Sequence, residues 1–295
     1  MNNNNNNNNA ITGHTKLTAL LGRPVAHSIS PLMHNEAFRR LGLDYVYLCF
    51  DVDEDSLARA VEGLRACGIR GFNLTMPNKN KIVGLLDELS PAARLIGAVN
   101  TVVNEDGRLI GYNTDGMGYM QAVKDAGYDI IGKSITVMGA GGAATAICAQ
   151  AALDGVNVLH IFARRSSRFW DRTQKLVDTI NSTLDCRAIL HDNDDKGALV
   201  QAVGESALLL NATSLGMAPD IEGTIITDTS IFRPDLIVSD VVYNPRETRL
   251  LREAREAGCR TFNGMYMLLY QGAEAFRLWT GMDMPVEEIK AKYFA

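Results

Sequence analysis

The sequence predicts an α/β chain of two domains, the second a doubly wound parallel sheet, with a cleft between the two lobes. Three observations carry this. The segment Gly139-Ala140-Gly141-Gly142-Ala143-Ala144 links an apolar strand pattern over 135–138 to a helical pattern through Thr145, Ile147, Cys148 and Ala152. A second apolar strand pattern over 156–162 follows at βαβ spacing. A domain's length of sequence with its own alternation of strands and helices precedes the glycine turn, so the doubly wound domain is not the first.

In that first domain, residues 17–21 read as a strand, 31–41 as a helix and 45–52 as a second strand. Leu57, Val61 and Leu64 mark a helix face over 56–67, and 69–74 is a short strand ending in Thr75-Met76-Pro77. Residues 79–89 read as helical. Strands over 99–103 and 109–112 flank Asn104-Glu105-Asp106-Gly107, a turn signal that makes a hairpin the simplest reading. After 162 the alternation continues with strands at 207–210, 236–242 and 260–262, and 264–295 has helical spacing with no strand left to pair. That last segment is expected to pack back on the first domain. The boundaries that follow are a disordered Asn-rich tail over 1–14, a first domain of 15–114 with 265–295, and a second of 115–264.

The glycine turn has a chemical meaning. Glycines between a strand and a helix let backbone amides approach a pyrophosphate, which the positive end of the helix then holds, so the second domain reads as a Rossmann dinucleotide site. An NAD site usually ends the next strand in an acid that accepts from the ribose hydroxyls. Here the chain reads Ala163-Arg164-Arg165-Ser166-Ser167-Arg168 instead. Arg164, Arg165 and Arg168 suit a 2′-phosphate through charge-assisted hydrogen bonds, so NADP is favoured, with NAD as the alternative. A solvated basic loop is the bland reading of the same residues.

Composition excludes several classes. A net charge of −5 over 295 residues leaves no electrostatic footprint for nucleic acid or an anionic membrane. The five cysteines show neither CxxC nor Cys/His ligand spacing, which disfavours disulfides and structural zinc, and no metal site is expected. No stretch approaches the about 20 apolar residues that span a bilayer. The tract Asn2–Asn9 has neither the apolar block of a signal peptide nor the arginines of a transit peptide, so the expectation is a cytoplasmic protein with a disordered tail. Oligomeric state is not fixed, a homodimer included.

Oxidising an alcohol by hydride transfer needs a group that takes the hydroxyl proton, and Lys79 is the candidate. It follows Asn73-Leu74-Thr75-Met76-Pro77-Asn78, where a strand stops and side chains project from the carboxyl edge of a sheet. Asn100-Thr101 and Asn113-Thr114-Asp115-Gly116 also end strands of the first domain. Asp115 would pair with Lys79, and Asn100 would bind substrate hydroxyls. Turn and capping duty explains the same residues without function. Ser28 and Ser30 precede the helix that begins at Pro31, and such a helix start binds a carboxylate; Ser30 as an N-cap is the structural alternative.

Taken together, Ser28-Ile29-Ser30-Pro31, the Asn73 to Lys79 motif, Gly97-Ala98-Val99-Asn100-Thr101, Gly111-Tyr112-Asn113-Thr114-Asp115-Gly116, the glycine turn and Met267 to Ala273 with Gln271 resemble the shikimate dehydrogenase family, from about Leu17 to the C-terminus. The resemblance implies reversible oxidation of shikimate to 3-dehydroshikimate, or of quinate to 3-dehydroquinate, with a nicotinamide cofactor. It implies that Ser28 and Ser30 bind the substrate carboxylate and that Lys79 and Asp115 form the catalytic pair. Thr75, Asn100 and Gln271 would hold ring hydroxyls, with Tyr47 as an extra contact. Gly139, Gly141 and Gly142, with Ala140 and Ala143 in the same turn, would take the pyrophosphate. Tyr243, Gly264 and Met265 would lie beside the nicotinamide. Met76-Pro77-Asn78-Lys79 is similar to the quinate/shikimate branch, whose members tend to carry an Asp after the paired arginines. Ser166-Ser167-Arg168 departs from that and is closer to the NADP-specific enzyme. Two alternatives stand beside this reading, a methylene-tetrahydrofolate-type dehydrogenase and a non-catalytic dinucleotide-binding regulator.

Overall fold

The computed structural model describes residues 10–294. The chain forms two compact units, one of residues 10–114 with 272–294 and one of Asp115–Gln271. Of the tail expected over 1–14, residues 1–9 lie outside the described residues, and 10–14 are exposed.

The first unit opens with β1 (Lys16–Gly22), α1 (Ser30–Arg40), β2 (Tyr45–Asp51), α2 (Leu57–Ala66) and β3 (Gly71–Leu74). It continues with β4 (Glu88–Leu89), α3 (Pro91–Ile96), β5 (Thr101–Glu105) and β6 (Arg108–Tyr112). The six strands pair in the order β2-β1-β3-β5-β6-β4, with β5 antiparallel to both neighbours and every other pairing parallel. The β5–β6 hairpin turns at Asp106 and Gly107, both at positive φ (51° and 93°), as a two-residue Asp-Gly turn requires.

Side-chain alternation sorts the sheet into two faces. Ala19, Leu21, Phe72, Leu74 and Val102 enter an apolar core with Leu57 and Val61 of α2. The intervening residues, among them Tyr47, Asn73 and Thr101, face the other way. There His34 and Phe38 of α1 meet Phe276 and Trp279 near the chain's end. The Trp279 indole donates to Val102 O (2.9 Å), and Arg70 Nε donates to Trp279 O (2.8 Å), which fixes the C-terminal segment on this sheet.

One expected element is different. Residues 79–89 are not one helix: Lys81–Leu85 makes a single 3₁₀ turn and the chain then extends into β4. Gly84 and the β-branched pair Ile82-Val83 favour helix weakly. Asp87 and Leu109 exchange hydrogen bonds, Asp87 N–H to Leu109 O (3.0 Å) and Leu109 N–H to Asp87 Oδ2 (2.7 Å), drawing the segment onto β6.

The second unit holds α4 (Asp115–Asp125), β7 (Ser134–Met138), α5 (Gly142–Leu153), β8 (Val158–Ala163), α6 (Trp170–Thr183) and β9 (Arg187–Asp192). It goes on through α7 (Lys196–Glu205), β10 (Leu208–Asn211), β11 (Ile237–Asp240), α8 (Arg249–Glu256) and β12 (Arg260–Asn263). All six strands are parallel, in the order β12-β11-β10-β7-β8-β9. The winding reverses between β7 and β10, the switch point at which doubly wound folds bind ligands. The edge strand β9 is absent from the sequence reading, because Arg187, His191 and Asp192 break its apolar run.

α9 (Met265–Thr280) begins in the second unit and ends in the first, and α10 (Val286–Tyr293) follows. The division falls at Gln271, inside α9, and not at its start. The reason is local: a Cβ on Gly118 of α4 would lie 2.6 Å from Gln271 N and 2.7 Å from Met267 O, so the first turns of α9 lie directly on α4. Gly116 does the same toward α5, where a Cβ would meet Gln150 Cβ at 2.6 Å.

Candidate active site

In the first unit β1, β3 and β6 all end at one edge of the sheet, and β5 starts there. That edge gathers the residues following each strand: Ser28 and Ser30 after β1, Thr75 and Lys79 after β3, Asn113 and Thr114 after β6, with Asn100 before β5.

A hydrogen-bonded chain links Ser30, Asn100 and Thr114 through Tyr47, Asn73 and Thr101. The Tyr47 hydroxyl donates to Asn73 Oδ1 (2.8 Å) and is hydrogen-bonded to the Ser30 side chain. Asn73 Nδ2 donates to Thr101 Oγ1 (2.9 Å) and to Asn100 O (3.1 Å). Asn100 Oδ1 accepts from Thr101 Oγ1 (3.0 Å) and from Thr114 N–H (2.8 Å), while its Nδ2 donates to Thr114 Oγ1 (3.0 Å). These polar residues are buried, so the network fixes which way each amide points. Burial pushes the Tyr47 phenol well above its ordinary range, so it remains a neutral hydroxyl.

Ser30 is the first residue of α1 and not its N-cap; Ile29 takes the cap position without a side-chain bond. The Ser30 amide donates to Ser28 Oγ (3.2 Å), which brings the two serines together. Lys79 is half-buried, and its backbone carbonyl accepts from Val99 N–H (2.8 Å). Before it, buried Asn78 donates to Val52 O (2.8 Å) and pins the turn. Asp115 is the half-buried first residue of α4. Gln271 Nε2 donates to Leu268 O (3.0 Å) within α9. Asn73 was not singled out from the sequence; its signal is an amide inside the otherwise apolar Gly71–Leu74 strand.

In the second unit the glycine turn joins β7 to α5. Gly139 has φ 123°, and a Cβ there would stand 2.9 Å from Ala212 O at the end of β10. Only glycine combines that conformation with that approach. Around Gly141 and Gly142 an added Cβ would meet nothing within 4 Å. No side chain caps α5 at Gly141, and its first turn holds no acid. Its leading amides are therefore available to an anion, and the turn fits a dinucleotide pyrophosphate.

Arg164, Arg165 and Arg168 follow β8 and are exposed. Arg165 stacks on Trp170 (4.6 Å) and Arg168 on Phe169 (4.7 Å), which holds the loop against the start of α6. Beyond β11, Tyr243 is exposed. The loop leading to it is anchored by buried Asp240, which accepts from Val242 N–H (2.9 Å), Thr248 Oγ1 (2.8 Å) and Asn211 Nδ2 (3.0 Å). Burial raises the Asp240 pKa against those bonds. Gly264 packs on Val241, and Met265 N–H donates to Asn263 Oδ1 (3.1 Å).

Among the described residues no group of three or more His, Cys, Asp or Glu could hold a metal ion. No helix among them is long and apolar enough to cross a membrane.

A doubly wound sheet with an uncapped glycine turn, joined to a second α/β unit with a buried polar network at its strand ends, defines a two-domain nicotinamide-dependent dehydrogenase. The comparisons narrow this. Residues 20–102 match the model of the shikimate dehydrogenase substrate binding domain, and residues 264–292 match that of the shikimate 5′-dehydrogenase C-terminal domain. The shikimate dehydrogenase (NADP(+)) of Listeria monocytogenes serotype 4b is 55% identical over 284 residues, covering 96% of this chain and 97% of that protein. The crystal structure of shikimate 5-dehydrogenase from Listeria monocytogenes with shikimate and NAD superposes with a TM-score of 0.93 at 55% identity, covering 95% of this chain and 97% of that one. Quinate dehydrogenase from Corynebacterium glutamicum with NAD superposes at 0.83 with 31% identity, covering 95% and 99%. The chain belongs to the shikimate dehydrogenase family.

Proposed function

We propose that the chain interconverts shikimate and 3-dehydroshikimate, with NADP preferred over NAD and with Lys79 and Asp115 as the catalytic pair. The observation that carries the reading is the 55% identity, over 96% of the chain, to a shikimate dehydrogenase (NADP(+)), supported by Ser28, Ser30, Thr75, Lys79 and Asn100 at one edge of the first unit's sheet. Family membership displaces the folate-type dehydrogenase and the non-catalytic regulator.

In this reading Ser28 and Ser30 hold the substrate carboxylate at the start of α1, where the helix adds favourable field. Asn100, whose amide is oriented by Thr101 and Thr114, would meet a ring hydroxyl. Thr75 and Gln271 bind the other hydroxyls, and Tyr47 backs the pocket through Ser30 and Asn73. The Lys79 amine takes the proton from the hydroxyl being oxidised, and Asp115 orients that amine. Reduction runs the same proton back. The 139–143 turn and Arg164, Arg165 and Arg168 would hold NADP, which when bound would accept the hydride. Tyr243, Gly264 and Met265 would border its nicotinamide.

Quinate, which differs by water added across the ring double bond and keeps the carboxylate and the other ring hydroxyls, is the second substrate to test. Steady-state kinetics with shikimate and quinate, each against NADP and NAD, decide the matter. The reading expects the highest kcat/KM for shikimate with NADP. Turnover with neither acid would reject it.

A further inference from the structure

Most arginines of this chain that lie against other side chains are neutralised. Arg40 pairs with Glu36, Arg65 with Asp87, Arg249 with Glu253 and Arg255 with Glu247. Arg172, in the first turn of α6, is half-buried and has no carboxylate partner among the described residues. One guanidinium nitrogen, Nη2, donates to Thr145 Oγ1 (3.1 Å), and Phe169 covers the group from one side (5.2 Å). Its Nε is buried with no acceptor. Burial is the one influence on its charge, and it acts against the cation. A guanidinium held out of water with a donor unmet is costly, and the cost is recovered when an anion arrives.

The tether places this cation. Thr145 lies in the first turn of α5, and its hydroxyl donates back to Gly141 O (2.8 Å) inside the glycine turn. Arg172 is thus bonded through one hydroxyl to the turn that fits the pyrophosphate. Along the chain it lies one helical turn past Arg168, so it joins the α5 start to the arginine loop. We infer that Arg172 is a phosphate-binding residue of the dinucleotide site, holding a cofactor phosphate between the glycine turn and the loop of Arg164, Arg165 and Arg168. This rests on the reading of the second unit as the NADP domain.

The test is calorimetric binding of NADP, NAD and adenosine 2′,5′-diphosphate to the whole enzyme and to Arg172→Gln, without turnover. A charge-assisted bond to phosphate is expected to be worth about tenfold or more in Kd. A rise for NADP and the diphosphate with NAD unchanged supports the inference and assigns the 2′-phosphate. An equal rise for NADP and NAD supports it and assigns the pyrophosphate. Unchanged Kd for all three overturns it and leaves Arg172 as a packing partner of Phe169. Should Arg172→Gln fail to fold, Thr145→Val removes the tether together with the hydroxyl's bond to Gly141 O, and Thr145→Ser, which keeps both, is its control; about a threefold or larger rise in NADP Kd is then expected for Thr145→Val over Thr145→Ser, and none overturns the inference. Failure of the wild-type enzyme to bind NADP at all would reject the reading of the domain, which is a different result.

Discussion

His34 lies beneath the substrate-side network and gives a stability prediction with a computable size. It is fully buried, stacks on Tyr47 (ring centroids 4.5 Å apart) and has no hydrogen-bond partner on either ring nitrogen. Burial lowers its pKa from 6.5 to about 3. The unfolded chain therefore binds a proton near pH 6.5 that the folded chain refuses until about 3. Stability is full above the unfolded value and falls as pH drops through that window, by about 1.4 kcal/mol per unit. Between pH 8 and pH 5 the loss from this one group is about 2 kcal/mol. His34→Phe keeps a ring in the stack and removes the titration. Urea unfolding of both proteins at the two pH values, followed by tryptophan fluorescence, reads the difference between their losses. Taking that difference cancels the packing change. It also cancels His160 and His191, whose pKa values burial lowers in the same direction. Wild type should lose about 2 kcal/mol more than the variant. Equal losses would refute the claim that burial holds His34 neutral.

Three further outcomes follow from the site. Asp115→Asn is expected to lower kcat by up to about 100-fold with a smaller change in KM, since it keeps the shape and removes the charge proposed to orient Lys79; an unchanged kcat would remove Asp115 from the proposed pair. Gly139→Ala should cost about 1–3 kcal/mol in unfolding free energy and weaken NADP binding, because φ 123° is unfavourable for alanine and its methyl would meet Ala212 O. Arg164→Ala and Arg168→Ala should raise KM for NADP and leave KM for NAD unchanged; unaltered NADP affinity in both would reject their contact with the 2′-phosphate.

Local chemistry accounts for what the sequence made readable. The Gly139 turn and the Asp106-Gly107 hairpin each demand residues at positive φ, and glycine between apolar runs advertises that. The inner parallel strands of the second unit are buried and largely apolar, whereas the edge strands tolerate polar residues, Arg187 and Asp192 in β9 and Arg260 and Asn263 in β12. Segment 79–89 misled because its fate is decided by Asp87 bonding to Leu109, a contact no periodicity records. Gly116 reads as a turn residue, yet it and Gly118 sit in a helix and allow α5 and α9 to approach. Of the site, the residues at strand ends were legible because strands stop where side chains can leave the core. Asn73, His34 and Arg172 were not, since their significance lies in what surrounds them: a hydroxyl network, an aromatic stack without partners, and a threonine in another helix.

The central claim is that Lys79 moves the hydroxyl proton while shikimate is oxidised. Its most direct test is NADP reduction by shikimate, followed in the near ultraviolet for wild type and Lys79→Ala, with shikimate Kd measured separately on each. With the amine gone, kcat should fall about 100-fold or more with shikimate still bound. A variant that retains most of the wild-type kcat would contradict it.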